Sequence, residues 1–379
     1  MEQIMNYELN IIKHKTNIIR ELLKDEVVFT ISLIFAVVTS LISVPKMKYI
    51  DFKVLGILFN LMVVIAAFEK LKILDKIAVS ILSKFNKERQ ISLVLIFLTF
   101  ISSMFITNDV ALITFVPLTL IIGKKTGWHP ILTIIFQTLA ANLGSSLTPM
   151  GNPQNLFLYS FYNISPIEFF KVTLPIILIG ILWLVIINYR LKENEINFKL
   201  EDIYIENKTQ GIIYIGLFIF VVLSVFNIVN YKIAFLVTIF IAIFTDKSLL
   251  KQVDYILLAT FICFFIIIGN LSHMPSFTSN ITKFLSSSKN VYFSSILFSQ
   301  AISNVPSAIL LSGFTSRWKE IILGVNIGGM GTLIASLASL ISYKFYIKEY
   351  GQSRKYLIHF HGYSIISLFI FSFIIYFLI

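Results

Sequence analysis

Cysteine and charge are both scarce in this chain. Its 379 residues include one cysteine, Cys263, which lies in the apolar run FICFFIII. A single thiol excludes a disulfide framework and a thiolate metal cluster. Charged residues make up 13% of the chain, against about 25% in soluble domains. Because 57% of the residues are hydrophobic, the composition predicts an all-α polytopic membrane protein.

Several other signals are missing as well. The first 26 residues have mixed charge and no leading apolar core, so we expect a cytoplasmic surface helix rather than a cleaved signal peptide. The net charge of +11 comes from basic residues in short loops, which indicates membrane topology rather than a nucleic-acid partner. The motifs His-Glu-x-x-His and Gly-x-Ser-x-Gly are absent, so we do not expect an enzyme.

The apolar runs divide the chain into two halves. We expect spanning helices at 27–44, 52–68, 171–189, 211–229, 231–246, 255–271 and 363–379, with interfacial helices near 71–85 and 277–285. The predicted organisation is an N-terminal cytoplasmic helix at 1–26, a first repeat at 27–189, a cytoplasmic linker at 190–210 and a second repeat at 211–379.

Each half also contains polar, Gly- and Pro-broken sequence inside apolar runs. Residues 91–123 are divided by Asn108, and residues 291–315 by Asn304, so each segment is predicted to be a re-entrant hairpin. One overlong helix is the alternative for residues 91–123. Residues 131–159 and 321–346 are predicted to be broken crossings. Irregular backbone at membrane depth survives only inside protein or around a watery cavity, so these breaks predict a transporter's site.

The lysines and arginines support this layout. If the N-terminus is cytoplasmic and both hairpins are re-entrant, most of the 31 basic residues lie in cytoplasmic segments, as the positive-inside rule requires. The first hairpin then opens to the cytoplasm and the second to the outside. The two halves are therefore predicted to be inverted repeats, and the C-terminus is predicted to lie outside.

The two halves also align residue by residue at their polar positions. Asn108 aligns with Asn304, and Asn142-Leu-Gly144 aligns with Asn326-Ile-Gly328. Half-helix N-termini attract anions, whereas freed carbonyls and Asn or Ser oxygens attract cations. The predicted substrate-binding residues are Asn108, Asn142, Gly144, Ser145, Ser146, Thr148, Asn152, Asn155, Ser303, Asn304, Asn326, Gly328, Gly329 and Thr332. Close helix packing for the small residues and helix capping for the asparagines are the alternative explanations.

Asp109 has no acidic counterpart, since Val305 stands at the aligned position. A carboxylate at membrane depth costs roughly 2.5–3.5 kcal/mol on insertion scales, so it should face a partner or a cavity. We expect it to bind the coupling ion, H⁺ or Na⁺, and a structural helix cap is the alternative. The predicted coupling-ion residues are Thr107, Asn108, Asp109 and Asn304. Na⁺ at these tips is the only metal ion considered, and no cofactor is expected.

The stretches TNDVALITFVPL, GSSLTPMGNPQNLFL, SNVPSAILL and NIGGMGTLIASLAS resemble the ion-transporter superfamily. That group includes arsenite-efflux permeases, NhaD-type sodium–proton antiporters and divalent-anion/sodium symporters. The first hairpin tip contains Asn-Asp and the second contains Val-Pro. This combination is most similar to the arsenite permeases. The resemblance implies an inner-membrane homodimer that carries a small anion or related solute by an elevator movement. Rival hypotheses are a Na⁺/H⁺ antiporter that carries no anion, and a passive channel.

Overall fold

The structure, a computed structural model, describes residues 26–196, 198–351 and 353–378. The predicted N-terminal helix at 1–26 falls almost entirely outside the described residues. Within the described residues the chain is helical, and its only β-type pairing is an isolated bridge between Lys87 and Glu195. The predicted all-α polytopic fold is confirmed.

The α-helices are numbered here in chain order. They are α1 Val27–Ile42, α2 Phe52–Lys70, α3 Ile73–Leu82, α4 Glu88–Phe105, α5 Asn108–Thr126, α6 Ile131–Ser145, α7 Pro153–Phe161, α8 Pro166–Asn188, α9 Lys208–Val225, α10 Tyr231–Thr245, α11 Tyr255–Leu271, α12 Pro275–Phe284, α13 Ser288–Ile302, α14 Asn304–Ser312, α15 Trp318–Gly328, α16 Leu337–Tyr350 and α17 Ser353–Tyr376. Short 3₁₀ turns lie at Met47–Tyr49, Lys247–Gln252 and Leu333–Ala335.

Five of these helices are long and apolar enough to cross a membrane: α2, α4, α8, α9 and α17. Helix α8 begins five residues before the predicted span at 171–189, because the Ser165 side chain accepts a hydrogen bond from the Glu168 N–H and Pro166 occupies the first helical position. The interfacial helix predicted at 71–85 is the shorter α3.

The chain forms two compact units. One comprises residues 26–51 and 254–280, where α1 packs along α11 and the Asn270 amide donates hydrogen bonds to the hydroxyls of Thr39 and Ser40, both at 3.3 Å. The other comprises residues 52–253 and 281–378 and contains every element of the candidate site.

This second unit contains two pairs of packed helices at the positions of the predicted hairpins. Helices α4 and α5 pack together, and so do α13 and α14. The open ends of the first hairpin meet the same linker, because the Glu88 N–H donates to the Asn194 carbonyl and Lys125 Nζ donates to the Lys199 carbonyl. A short helix such as α14, with nine residues, is about 14 Å long and cannot cross roughly 30 Å of hydrocarbon.

The end of the second hairpin is held to its beginning in a similar way. The Arg317 guanidinium donates from Nε to the Ser286 carbonyl at 2.9 Å and from Nη1 to Ser288 Oγ at 2.8 Å. Each hairpin therefore returns to the end from which it starts.

The two halves contact each other through the second helix of each hairpin. Helix α5 of the first hairpin packs against α16 in the second half, and α14 of the second hairpin packs against α7 in the first half. The two broken crossings thereby meet at the centre of the unit.

Candidate functional site

The site is built where helices stop and restart. Helix α6 ends at Ser145 and α7 restarts at Pro153, while α15 ends at Gly328 and α16 restarts at Leu337. Glycine permits close approach at both ends. A Cβ on Gly144 would overlap the Phe100 carbonyl oxygen, and one on Gly328 would lie 2.6 Å from Ser299 Cβ. Close packing is thus a demonstrated role of these two glycines.

Asn142 joins three elements. Its Oδ1 accepts hydrogen bonds from Asn108 Nδ2 at 3.2 Å and from Ser336 Oγ at 3.0 Å, and its Nδ2 donates to the Thr138 carbonyl at 3.2 Å. The tip of the first hairpin and the start of α16 therefore meet on one amide. Asn142 is 3% exposed, so this junction is closed to solvent.

Asn326 occupies the matching position in the second half. Its Oδ1 accepts from Asn152 Nδ2 at 3.0 Å, and its Nδ2 donates to Asn155 Oδ1 at 2.7 Å. Continuing the alignment of Asn142 with Asn326 through Thr148 and Thr332, which lie at identical spacing, pairs Asn152 with Ser336. The bond from Asn152 to Asn326 is therefore the counterpart of the bond from Ser336 to Asn142.

Asn155 secures the first break. Its Nδ2 donates to the carbonyls of Ser145, Ser146 and Thr148, each at 3.3 Å. Since Oδ1 is taken by Asn326, both polar atoms of this side chain are used within the protein. Its observed role is to hold the break in shape.

The two threonines of the breaks make equivalent contacts with the hairpins. The Thr148 hydroxyl donates to the Met104 carbonyl, and the Thr332 hydroxyl donates to the Gln300 carbonyl at 3.3 Å. Gln300 adds a clamp that Met104 cannot make, because its Nε2 donates to the Gly328 carbonyl at 2.7 Å and its Oε1 accepts from the Thr332 N–H at 2.8 Å.

The second hairpin tip contacts the second break. Ser303 Oγ donates to the Ala335 carbonyl at 3.4 Å, and Asn304 Nδ2 lies 2.9 Å from the point where a Cβ on Gly329 would sit. Ser303 has φ 75° and ψ 156°, a backbone conformation that glycine adopts more readily.

The remaining predicted residues lie beside these contacts. Ser145 and Ser146 donate to the Asn142 carbonyl at 3.1 and 2.9 Å. Thr107 is the half-buried residue before α5, and Asp109 is half-buried in the first turn of α5. The structure thus brings the predicted residues into one region. It adds Ser336 and Gln300, which the sequence analysis missed.

Four helices begin at this region: α5, α7, α14 and α16. The starts of α5 and α7 are joined by a hydrogen bond from the Asn108 N–H to the Gly151 carbonyl at 3.1 Å. The starts of α5 and α16 meet on Asn142, and Ser303 links α14 to the residue before Ser336. Of these four helix starts, as far as the described residues show, only that of α7 has a side-chain cap, from Asn152.

Buried amides lie at the breaks of paired helices in a chain with several membrane-length helices, an arrangement typical of polytopic membrane transporters. The chain belongs to the citrate transporter family, whose model (CitMHS, citrate transporter) matches residues 17–315. This match confirms the resemblance to the ion-transporter superfamily.

Three relatives are similar over different lengths. The uncharacterized transporter MJ0456 of Methanocaldococcus jannaschii is 41% identical over 298 residues, 77% of this chain and 80% of that protein. Inner membrane protein YbiR of Escherichia coli K12 is 28% identical over 322 residues, 83% of this chain and 84% of that protein. The putative transporter arsB of Dictyostelium discoideum is 34% identical over 83 residues, 21% of this chain and 14% of that protein.

Proposed function

We propose that this membrane transporter is a secondary active carrier of a small anion, coupled to H⁺ or Na⁺. The observation that carries the proposal is the meeting of four helix starts on buried asparagines. Unsatisfied N–H groups and the positive end of each helix dipole favour negative charge at such a point. Besides the Asp109 carboxylate, the surrounding groups are amides, hydroxyls and backbone carbonyls. The anion would thus be held by neutral N–H and O–H donors.

The family name supports a carboxylate such as citrate as the solute, and the sequence resemblance also admits an inorganic oxyanion or arsenite. The proposed solute-binding residues are the asparagines and serines of the two breaks and of the two hairpin tips. Because the Asn108, Asn155 and Asn326 amides are already bonded to protein, they would shape the site. Asn304 and the helix starts would face the solute.

Alternating access is proposed to follow an elevator movement of the hairpin-bearing part, in an inner-membrane homodimer with a cytoplasmic N-terminus. Support comes from the contacts that repeat between the halves at Thr148 and Thr332, and at Asn142 and Asn326. Two similar half-sites of opposite orientation would offer the solute similar surroundings from either side of the membrane.

The coupling ion is proposed to bind at Asp109, in the tip of the first hairpin. The Asp109→Asn variant keeps the side-chain shape and removes the titratable charge. We expect it to fold and to bind citrate, with the bound anion raising the unfolding temperature. It should lose citrate accumulation driven by a pH or Na⁺ gradient in proteoliposomes.

Two results would change this assignment. Undiminished accumulation by Asp109→Asn would leave Asp109 as a helix cap, since Asn and Asp cap about equally. A gradient-driven exchange of Na⁺ for H⁺ by the wild-type protein without movement of citrate, phosphate or arsenite would favour the Na⁺/H⁺ antiporter. Downhill movement without counterflow would identify a channel.

A further inference from the structure

A row of hydroxyl groups leads away from the candidate site along α16. Ser336, Ser339, Ser342, Tyr346 and Tyr350 recur at intervals of three or four residues, so they share one face of the helix. Over the 14 residues of α16 this face extends about 21 Å. We call these five side chains, together with the facing Thr138 and Tyr356, the hydroxyl track.

The first steps of the track are connected by hydrogen bonds. Ser336 Oγ donates to Asn142 Oδ1 in the site, and the Asn142 amide donates to the Thr138 carbonyl. Thr138 Oγ1 in turn donates to Ser342 Oγ at 2.8 Å. Thr138 and Ser342 are 1% and 0% exposed, so this polar path lies inside the protein.

Beyond that point the track contains buried hydroxyls whose hydrogen-bonding capacity is unused. Within the part of the chain that the structure describes, Ser339 Oγ and the Tyr356 hydroxyl have no hydrogen-bond partner, although these residues are 1% and 0% exposed. The Tyr356 hydroxyl faces Thr138 without reaching hydrogen-bond geometry with it. A buried polar group left unpaired costs roughly 1–3 kcal/mol, and ordered water with two to four polar partners removes that cost.

Beyond Ser342, tyrosine rings pack in series toward an exposed histidine, and the hydroxyl of the last tyrosine, Tyr350, is buried. The Tyr356 ring lies 4.8 Å from that of Tyr346, which lies 5.0 Å from that of Tyr350. The Tyr350 ring is 5.7 Å from that of the exposed His129.

The charged groups next to the track flank this surface end. Lys124 Nζ and Glu349 Oε1 form an ion pair at 3.1 Å, and the Lys124 side chain is 75% exposed. The distribution of lysines and arginines predicts that this end faces the cytoplasm.

We propose that the hydroxyl track holds a chain of ordered water and conducts the coupled proton between the cytoplasmic surface and the site. This inference rests on the proposed function and selects H⁺ as the coupling ion. Each hydroxyl or water accepts one proton from one neighbour and releases one to the next. A proton entering at Tyr350 is thus balanced by one delivered at Ser336 beside the site, and no group is oxidised or reduced.

Radiolytic hydroxyl labelling of the purified protein tests for the water, because radicals generated from bound water modify adjacent side chains. Tyr356 should be labelled several-fold faster than Tyr292, a matched control that is 1% exposed and whose hydroxyl already donates to the Ser372 carbonyl. Equal labelling of the two tyrosines would overturn the proposal.

Proteoliposomes with a trapped pH dye test the conduction. The Ser339→Ala/Ser342→Ala variant should slow proton movement coupled to citrate uptake at least fivefold and leave citrate counterflow unchanged. Ser295→Ala, which removes a buried hydroxyl bonded within α13, should alter neither. Wild-type proton coupling in the double variant would also overturn the proposal. If citrate does not move in the wild type, the proposed substrate fails, and the labelling result still decides the track.

Discussion

The Asn155→Asp substitution tests whether the Asn155 amide holds the break between α6 and α7 in shape. It replaces the donating amide nitrogen with an accepting carboxylate oxygen and leaves the shape of the side chain unchanged. The amide nitrogen donates to three carbonyl oxygens at 3.3 Å, and the residue is fully buried. Losing three hydrogen bonds at about 1 kcal/mol each predicts a loss of about 3 kcal/mol. The free energy of unfolding should fall by at least that amount near neutral pH.

The same substitution should create a new pH dependence. An ionised carboxylate facing three carbonyl oxygens in a buried site is costly, so the folded protein should bind a proton there and raise the carboxyl pKa above about 3.9. The unfolded chain releases that proton at a lower pH. The variant should therefore lose about 1.4 kcal/mol of stability for each pH unit above 4, until the folded pKa is reached.

Thermal unfolding at pH 5, 6, 7 and 8 measures this effect directly. The gap between wild type and Asn155→Asp should widen by about 1.4 kcal/mol for each pH unit from pH 5 up to the pKa of the folded carboxyl. Asn207→Asp is the control, because Asn207 is an exposed N-cap and aspartate caps equally well. Parallel curves for Asn155→Asp and wild type would show that the amide does not hold the break.

Two further substitutions probe the backbone around the breaks. Gly144→Ala should destabilise the protein by about 1–3 kcal/mol, because the added methyl meets the Phe100 backbone, whereas Gly216→Ala enters open space on α9 and should gain up to about 1 kcal/mol. Equal unfolding temperatures would refute the close contact. Ser303→Gly should raise the unfolding temperature by relieving about 1–3 kcal/mol of backbone strain, while Thr107→Gly at φ −62° should lower it. A lower unfolding temperature for both Ser303→Gly and Thr107→Gly would count against backbone strain at the second hairpin tip.

The sequence was most informative where hydrocarbon penalises irregular backbone. Glycines, prolines and asparagines inside apolar runs located both breaks, and the alignment of Asn142 with Asn326 placed matching residues in matching contacts. Extending that alignment by four residues beyond Thr332 would have identified Ser336 as well.

Other features depend on tertiary contacts that no local pattern encodes. The Gln300 clamp has no parallel at Met104, so the internal alignment could not indicate it. Nor could periodicity show that α5 would pack on α16 and α14 on α7. The sequence predicted that Asn155 binds the substrate, because an asparagine at a helix break can either cap a helix or bind a solute. The structure shows its amide already bonded to backbone carbonyls.

The central claim is that two half-sites of opposite orientation form one site reached from either side of the membrane. Cysteine accessibility in a Cys263→Ser background tests it, using a membrane-impermeant thiol reagent on oriented vesicles. Cysteines replacing the exposed Lys84 and Lys124, at the two ends of the first hairpin, should label from the same side. Cysteines replacing the exposed Lys289 and Lys319, at the ends of the second, should both label from the opposite side. Labelling of Lys84→Cys and Lys124→Cys from different sides, or of all four from one side, would contradict the inverted arrangement and the transport cycle proposed from it.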